Sequence, residues 1–258
     1  MATWLTHLRV ADKIFDRFYF RNRSLFFVGC IAPDTVVHPD ISHWCTNGDK
    51  TTCDTVRFYS KYLEGRFHTA DIDFYIGYYV HLLTDVSWHR QKIAPLKKYD
   101  RNVIRDVKSL WKDADYEFLS ENMNFRPIMM ISKAAGLEKK WFDYYSIDEI
   151  SKLTKYIISS VRALQDTEAA QTAKAVEDVK GIGKIKEIED SNDIKDITSI
   201  KGIDDIEGYK SYFINSDVRT GGVKVNSDAR QEIEWFIEEN AEIISEKLDE
   251  AGIPVIQR

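Results

Sequence analysis

Residues 69–92, TADIDFYIGYYVHLLTDVSWHRQK, contain the strongest helical pattern in the chain. Asp71 and Asp73 lie in its first turn, and Arg90 and Lys92 lie in its last turn. This is the order of charges that the helix dipole favours, because its amino end is partly positive and its carboxyl end partly negative. The segment therefore predicts one long helix with well-defined ends.

Helical periodicity extends outward from this segment over most of the chain. Apolar residues recur at steps of three and four, which is typical of amphipathic helices. Residues 35–53 are interpreted as a surface loop, because Pro39 and an Asn-Gly-Asp turn interrupt the pattern. Further helices are predicted at 4–20, 24–32, 52–63, 101–120, 125–135, 138–145, 147–178 and 227–250. The sequence thus predicts an all-α protein with a single multi-helix bundle domain.

A long segment near the C-terminus has a different composition. In residues 179–227 isoleucine alternates with Lys, Asp and Gly, and aromatic residues nearly vanish before Tyr209. So few large apolar side chains cannot form a core of their own. We predict an irregular insertion here, serving as a lid or a partner contact, while residues 1–178 and 228–258 form the helical domain.

Charge and composition exclude several classes of protein. A net charge of −6, from 36 basic and 42 acidic residues, provides no basic face for nucleic acid. The longest apolar run, residues 25–33, is far shorter than the roughly 20 residues that span a bilayer. The polar first nine residues are unlike a secretory signal, so a cytoplasmic location is expected. The odd number of cysteines argues against a disulfide framework, although Cys45 and Cys53 could form a structural zinc site with His43.

All six histidines lie in the first 89 residues, and one of them forms, with an aspartate, the spacing of a helical metal site. His81 and Asp85 are four residues apart, so they lie about 40° apart on the helix and one turn along, where both can bind one ion. A hydrogen-bonded pair in a polar patch is the alternative. His89 lies one turn further on the same stripe. Gly77, one turn before His81, leaves room for another chain segment or a ligand.

Three residues outside this helix are further candidate ligands. His7 lies on an apolar helix face, where a hydrogen-bonded core histidine is the alternative. Asp34 follows a helix that Pro33 ends, and there the helix dipole disfavours a carboxylate unless a cation is present. A solvated turn aspartate is the alternative for Asp34. His43 is a loop histidine beside Trp44.

Four short motifs, in chain order, resemble those of the zinc-dependent phospholipase C family. They are Trp4-x-x-His7, Gly29-x-x-Ala32-Pro33-Asp34, Ser42-His43-Trp44 and Gly77-Tyr78-x-x-His81-x-x-x-Asp85. The resemblance covers about residues 1–90. It implies an all-α bundle in which clustered zinc ions, between one and three of them, hydrolyse phosphodiesters of phospholipids.

The resemblance also assigns roles to the candidate residues. His7 and Asp85 would bind one zinc ion, while His43, His81 and Asp85 would bind a neighbouring ion, so that Asp85 forms a bridge. Asp34 would face the bridging water as the catalytic carboxylate, and a metal-bound hydroxide would attack the phosphorus. The prediction is therefore a phospholipase C-like phosphoesterase acting on a small-molecule or phospholipid phosphoester.

The chain departs from the family pattern in two places. Trp4 lies three residues inside the chain, whereas the founding enzymes of the family use the free amine of an N-terminal tryptophan as a ligand. Those enzymes also complete a further zinc site with later histidines, but no histidine follows His89 here. That site is either missing or rebuilt from His89, His68, Asp71 or Asp73. The alternative prediction is a non-catalytic metal-binding or interaction protein that kept the fold and lost turnover.

Overall fold

The structure is a computed structural model, which describes residues 2–35, 39–122, 124–134, 137–163 and 227–254. All of these residues belong to one compact unit. Within them, no residue lies in a β-strand and the bridge assignments are isolated, one of them between Thr46 and Asp49, so the predicted all-α class is confirmed. The predicted insertion at 179–227, apart from Ser227, lies outside the described residues, and the domain boundaries stay a prediction.

Helices make up most of the described chain. They are α1 Trp4–Phe15, α2 Arg23–Ile31, α3 Pro39–Ser42, α4 Thr55–Tyr62, α5 Ile72–Trp88, α6 Arg101–Glu121, α7 Arg126–Ser132, α8 149–163 and α9 Ser227–Glu250. Short 3-10 turns lie at Ala32–Thr35, Lys50–Thr52 and Ala94–Lys98, and a π-helical turn at His89–Ile93 continues α5. In this part of the chain, no helix is both long enough and apolar enough to cross a bilayer.

The centre of the bundle is the contact between α2 and α5, whose backbones touch. A Cβ atom built on Gly29 would lie 2.1 Å from the carbonyl oxygen of Phe74. A Cβ atom on Gly77 would lie 2.0 Å from the carbonyl oxygen of Phe26. Only a hydrogen atom fits at either position. The chain segment that Gly77 was predicted to admit is therefore α2.

Helix α1 is fastened to α6 and α9 by a buried charge network. Arg9 is 4% exposed, and its Nη1 atom donates to Asp115 Oδ1 at 2.8 Å. The second nitrogen of the guanidinium group pairs with Glu234 of α9. Thr6 Oγ1 donates to the other oxygen of Asp115 at 2.6 Å. Because charged groups buried in this way need fixed partners, the network determines where α1 places His7.

One predicted helix is wrong. Residues 138–145 form no helix, and their path is irregular. Trp141 and Tyr145 are buried, and the ring of Trp141 stacks on Phe74 of α5 with 3.9 Å between the ring centroids. Aromatic residues lose rotamer freedom in a helix and gain more from buried ring contacts. Tertiary packing therefore overrides the helical spacing of this aromatic run.

Two differences from the predicted boundaries affect the site. The helix predicted to end at Pro33 is followed directly by the 3-10 turn Ala32–Thr35, in which Pro33 is accommodated because the first turn of a helix does not use its N–H groups. The predicted loop at 35–53 contains α3 and the 3-10 turn Lys50–Thr52. These turns bring residues of the N-terminal third against α5.

Candidate metal centre

Five polar side chains from separate segments of the chain meet inside the bundle. His7 comes from α1, Asp34 from the 3-10 turn after α2, His43 from the residue after α3, and His81 and Asp85 from α5. The three histidines and Asp85 are at most 1% exposed, whereas the side chain of Asp34 is 13% exposed. The structure therefore brings the five principal sequence candidates together, with Asp34 on the side that solvent reaches.

The two carboxylates connect the three imidazoles. Asp85 Oδ1 lies 3.5 Å from His7 Nε2, while Asp85 Oδ2 lies 3.5 Å from His81 Nε2 and 3.4 Å from His43 Nε2. Asp34 Oδ1 lies 3.2 Å from His43 Nε2 and 3.8 Å from His81 Nε2. Two overlapping groups could hold an ion, His7 with Asp34 and His81, and His43 with His81 and Asp85. In each group the ligand atoms lie within 4.8 Å of one another.

Neighbouring groups orient the imidazole rings. His81 Nδ1 lies 2.8 Å from the carbonyl oxygen of Cys30. A carbonyl oxygen only accepts, so Nδ1 carries the proton and Nε2 presents its lone pair to the cluster. His43 Nδ1 lies 2.9 Å from Ser42 Oγ, and the ring of His7 stacks on that of His81 with 3.7 Å between centroids. The ring nitrogens that face the cluster are thus the Nε2 atoms.

Buried polar atoms without a hydrogen-bond partner are concentrated in this part of the described structure. They include both ring nitrogens of His7, both carboxylate oxygens of Asp85 and Nζ of Lys50. An unsatisfied buried group costs about 1–3 kcal/mol, so several together require an explanation. Imidazole nitrogens and carboxylate oxygens that face one another fit a shared divalent cation, and this mixed set of donors suits zinc.

The pKa shifts favour the protonation states that bind metal. Burial raises the pKa of Asp34, but the nearby His81 and His43 lower it by a larger amount. The net result is a pKa below the ordinary value. Burial likewise raises the pKa of Asp85, and His7, His81 and Lys50 together lower it well below the ordinary value. Burial lowers the pKa of His7. Ionised carboxylates and neutral imidazole are the metal-binding forms of these groups.

His89 lies outside both groups. Its Nδ1 atom is 3.6 Å from Asp49 Oδ1, and its side chain is 12% exposed. Each step of four residues turns a side chain by about 40° around the helix axis, so two steps from His81 turn His89 away by about 80°. The prediction that His89 is a weaker ligand stays a prediction.

The other residues considered for a rebuilt zinc site have separate partners. Asp71 pairs with Lys139, and the carboxylate of Asp73 accepts a hydrogen bond from the backbone N–H of Asn22. His68 is exposed. These residues belong to neither of the two groups found among the described residues.

Sequence reasoning missed one residue that adjoins the cluster, Lys50. It is 1% exposed, and its Nζ atom lies 3.4 Å from Asp85 Oδ2. A lysine in a polar loop is normally exposed, so its burial could not be expected from composition. One local feature of the sequence could have drawn attention to Lys50. The side chain of Asp49 caps the 3-10 turn that begins at Lys50 and accepts a hydrogen bond from Thr51 N–H.

Clustered imidazoles and carboxylates inside an all-α bundle are typical of helical metal-binding proteins. The family model for zinc-dependent phospholipase C matches residues 6–170, which is more than half of the chain. The chain therefore belongs to the zinc-dependent phospholipase C family, and the resemblance seen in the sequence is confirmed. The matched region contains all five residues of the cluster. No curated protein and no solved structure matches the chain.

Proposed function

We propose that the protein is a zinc-dependent phosphoesterase that hydrolyses phosphodiesters, with phospholipids as the preferred class of substrate. The observation that carries the proposal is the convergence of three imidazoles and two carboxylates in two overlapping groups of ligands. Family membership supports both zinc and a lipid phosphoester. The buried atoms of His7 and Asp85 that lack hydrogen bonds support a cation at the same place.

The proposed ligands are His7, His43, His81 and Asp85, with Asp34 at the edge of the cluster. Asp85 would be shared between ions, because its two oxygens face different imidazoles. We propose between one and three ions in total. Zinc bound by these residues would lower the pKa of water toward neutrality and polarise the phosphoryl group.

Asp34 is proposed as the catalytic carboxylate. Of the five cluster residues it is the one that solvent reaches, so water and a phosphodiester can approach it. Its pKa lies below the ordinary value, so the carboxyl group stays ionised, accepts hydrogen bonds and is a weak base. Asp34 Oδ1 would therefore accept a hydrogen bond from the attacking water and orient it toward phosphorus.

Three predictions from the sequence extend this proposal. His89 would supply a weaker ligand, residues 179–227 would cover the site or bind a partner, and the protein would work in the cytoplasm. The contacts within the cluster bear on none of these three predictions.

Purified protein tests the proposal. We would measure bound zinc, then hydrolysis of bis(p-nitrophenyl) phosphate and of phosphatidylcholine vesicles, before and after chelation and after zinc is restored. Turnover should be lost with the chelator and return with zinc. Asp34→Asn should lose turnover and keep the zinc bound by His43, His81 and Asp85, while the exposed control Asp143→Asn should retain full turnover and all of its zinc.

The alternative function is a metal-binding or interaction protein without turnover. The absence of any histidine after His89 favours it, because the founding enzymes of the family use later histidines. Stoichiometric zinc without hydrolysis of either ester would support this alternative. Protein that binds no zinc would contradict both.

A further inference from the structure

Lys50 is a buried cation at the metal cluster that the proposed chemistry does not use. Its Nζ atom lies 3.4 Å from Asp85 Oδ2, the oxygen that also faces His43 and His81. The residue is 1% exposed, and Nζ has no hydrogen-bond partner. A lysine ammonium has three donors and is almost never fully buried unless it is paired. The partner that it faces here is the carboxylate of Asp85.

The backbone around Lys50 is fixed, so this position is built into the loop. The 3-10 turn Lys50–Thr52 begins after Asp49, whose carboxylate accepts hydrogen bonds from the N–H and the hydroxyl of Thr51, at 2.9 and 2.7 Å. The backbone N–H of Thr46 donates to Thr52 Oγ1 at 2.8 Å and closes the loop. Lys50 therefore extends from a restrained turn directly toward α5.

The ammonium and a divalent cation are attracted to the same oxygen. Both stabilise Asp85 as an ionised carboxylate, and both carry positive charge, so they repel each other when they are close. This repulsion is weakly screened, because Lys50 and Asp85 are both buried. In the protein without metal, by contrast, the ammonium compensates a buried negative charge that would otherwise be destabilising.

We propose that Lys50 is the internal counterion of Asp85, which stabilises the metal-free protein and limits the affinity of the centre for zinc. Lys50 acts through Asp85 and is a positioning residue. The inference rests on the zinc binding that the proposed function includes. It makes a distinctive prediction, since removing a residue from a metal site would normally weaken metal binding, and here it should strengthen it.

The test compares zinc affinities by competition with a chromophoric chelator. The neutral variants Lys50→Met and Lys50→Gln should bind zinc at least about tenfold more tightly than the wild type. Lys50→Arg keeps the charge and should bind zinc as the wild type does. The matched control is Lys97→Met, because Lys97 is 65% exposed and lies 3.9 Å from Asp49, so its loss should leave the affinity unchanged.

A second readout is thermal unfolding with and without zinc. The neutral variants should unfold at a lower temperature than the wild type without zinc, and zinc should raise their unfolding temperature by more. If a neutral variant folds only with zinc, the rate of zinc dissociation from the folded protein replaces the equilibrium measurement, and it should be slower than in the wild type.

The outcomes separate this inference from the proposed function. Wild-type protein that binds no zinc would overturn the proposed function, and the inference with it. Wild-type protein that binds zinc, together with neutral variants that bind it equally or more weakly, or release it equally or faster, would overturn the role of Lys50 alone.

Discussion

Gly77→Ala should damage the metal centre without altering any of its ligands. The added Cβ would lie 2.0 Å from the carbonyl oxygen of Phe26, whereas such contacts are essentially never closer than 3.0 Å. Helices α2 and α5 must therefore separate by roughly 1 Å at this point. The hydrogen bond from His81 Nδ1 to the carbonyl of Cys30 spans the same contact at 2.8 Å, so this separation would break it.

The expected effects are a loss of stability and a loss of zinc affinity. Overpacking of this kind costs about 1–3 kcal/mol of unfolding free energy. Losing a group that orients a metal-binding histidine weakens metal binding by roughly 10- to 100-fold. Urea unfolding of the metal-free protein measures the first effect, and competition with a chelator measures the second.

Gly65→Ala is the matched control, because it makes the same substitution in open space. Gly65 has a positive φ of 68°, and no atom lies within 4 Å of the position of its Cβ. The variant should lose about 1–2 kcal/mol through backbone strain and keep its zinc affinity. If Gly77→Ala binds zinc as tightly as the wild type, or if both variants lose affinity equally, the contact between α2 and α5 does not support the metal centre.

Three further predictions concern the ligands, the helix network and the thiols. Asp85→Asn should bind no zinc at concentrations that saturate the wild type, as measured by equilibrium dialysis. Asp85 belongs to one ligand group and lies 3.5 Å from His7 of the other. Full zinc binding by this variant would contradict the shared role of Asp85. Asp115→Ala should lose about 3–5 kcal/mol in urea unfolding, because Arg9 loses its buried partner and keeps only the more exposed Glu234; a loss under about 1 kcal/mol would contradict this. Burial raises the pKa of Cys45 to about 11, so iodoacetamide at pH 8 should label Cys45 about 100-fold more slowly than free cysteine. The labelling rate should increase with pH up to that pKa. Equal labelling rates for Cys45 and free cysteine, measured by mass spectrometry, would refute the shift.

The long helix and the pairing of His81 with Asp85 could be predicted because the information for both is local. The period of the segment identifies α5, and the four-residue spacing places His81 and Asp85 one turn apart on it. The motif order adds His7 and His43 through resemblance to a family. That these residues meet in space depends on the contact between α2 and α5, of which the sequence shows only the missing side chains of Gly29 and Gly77.

Other features depend on tertiary contacts that leave no periodic signal. The segment 138–145 has helical spacing, but the burial of Trp141 against Phe74 determines its path. Lys50 lies in a polar loop, and its burial follows from a short capped turn and from the charge of Asp85. The spacing of apolar residues within one segment therefore predicted α5, whereas it predicted neither the irregular path of residues 138–145 nor the burial of Lys50.

Diffraction from zinc-soaked crystals, measured on both sides of the zinc absorption edge, tests whether the buried imidazoles and carboxylates bind zinc. Anomalous peaks should lie about 2.0–2.2 Å from the Nε2 atoms of His43 and His81 and from the carboxylate of Asp85. Zinc bound at surface residues alone, with no peak between these side chains, would contradict this expectation.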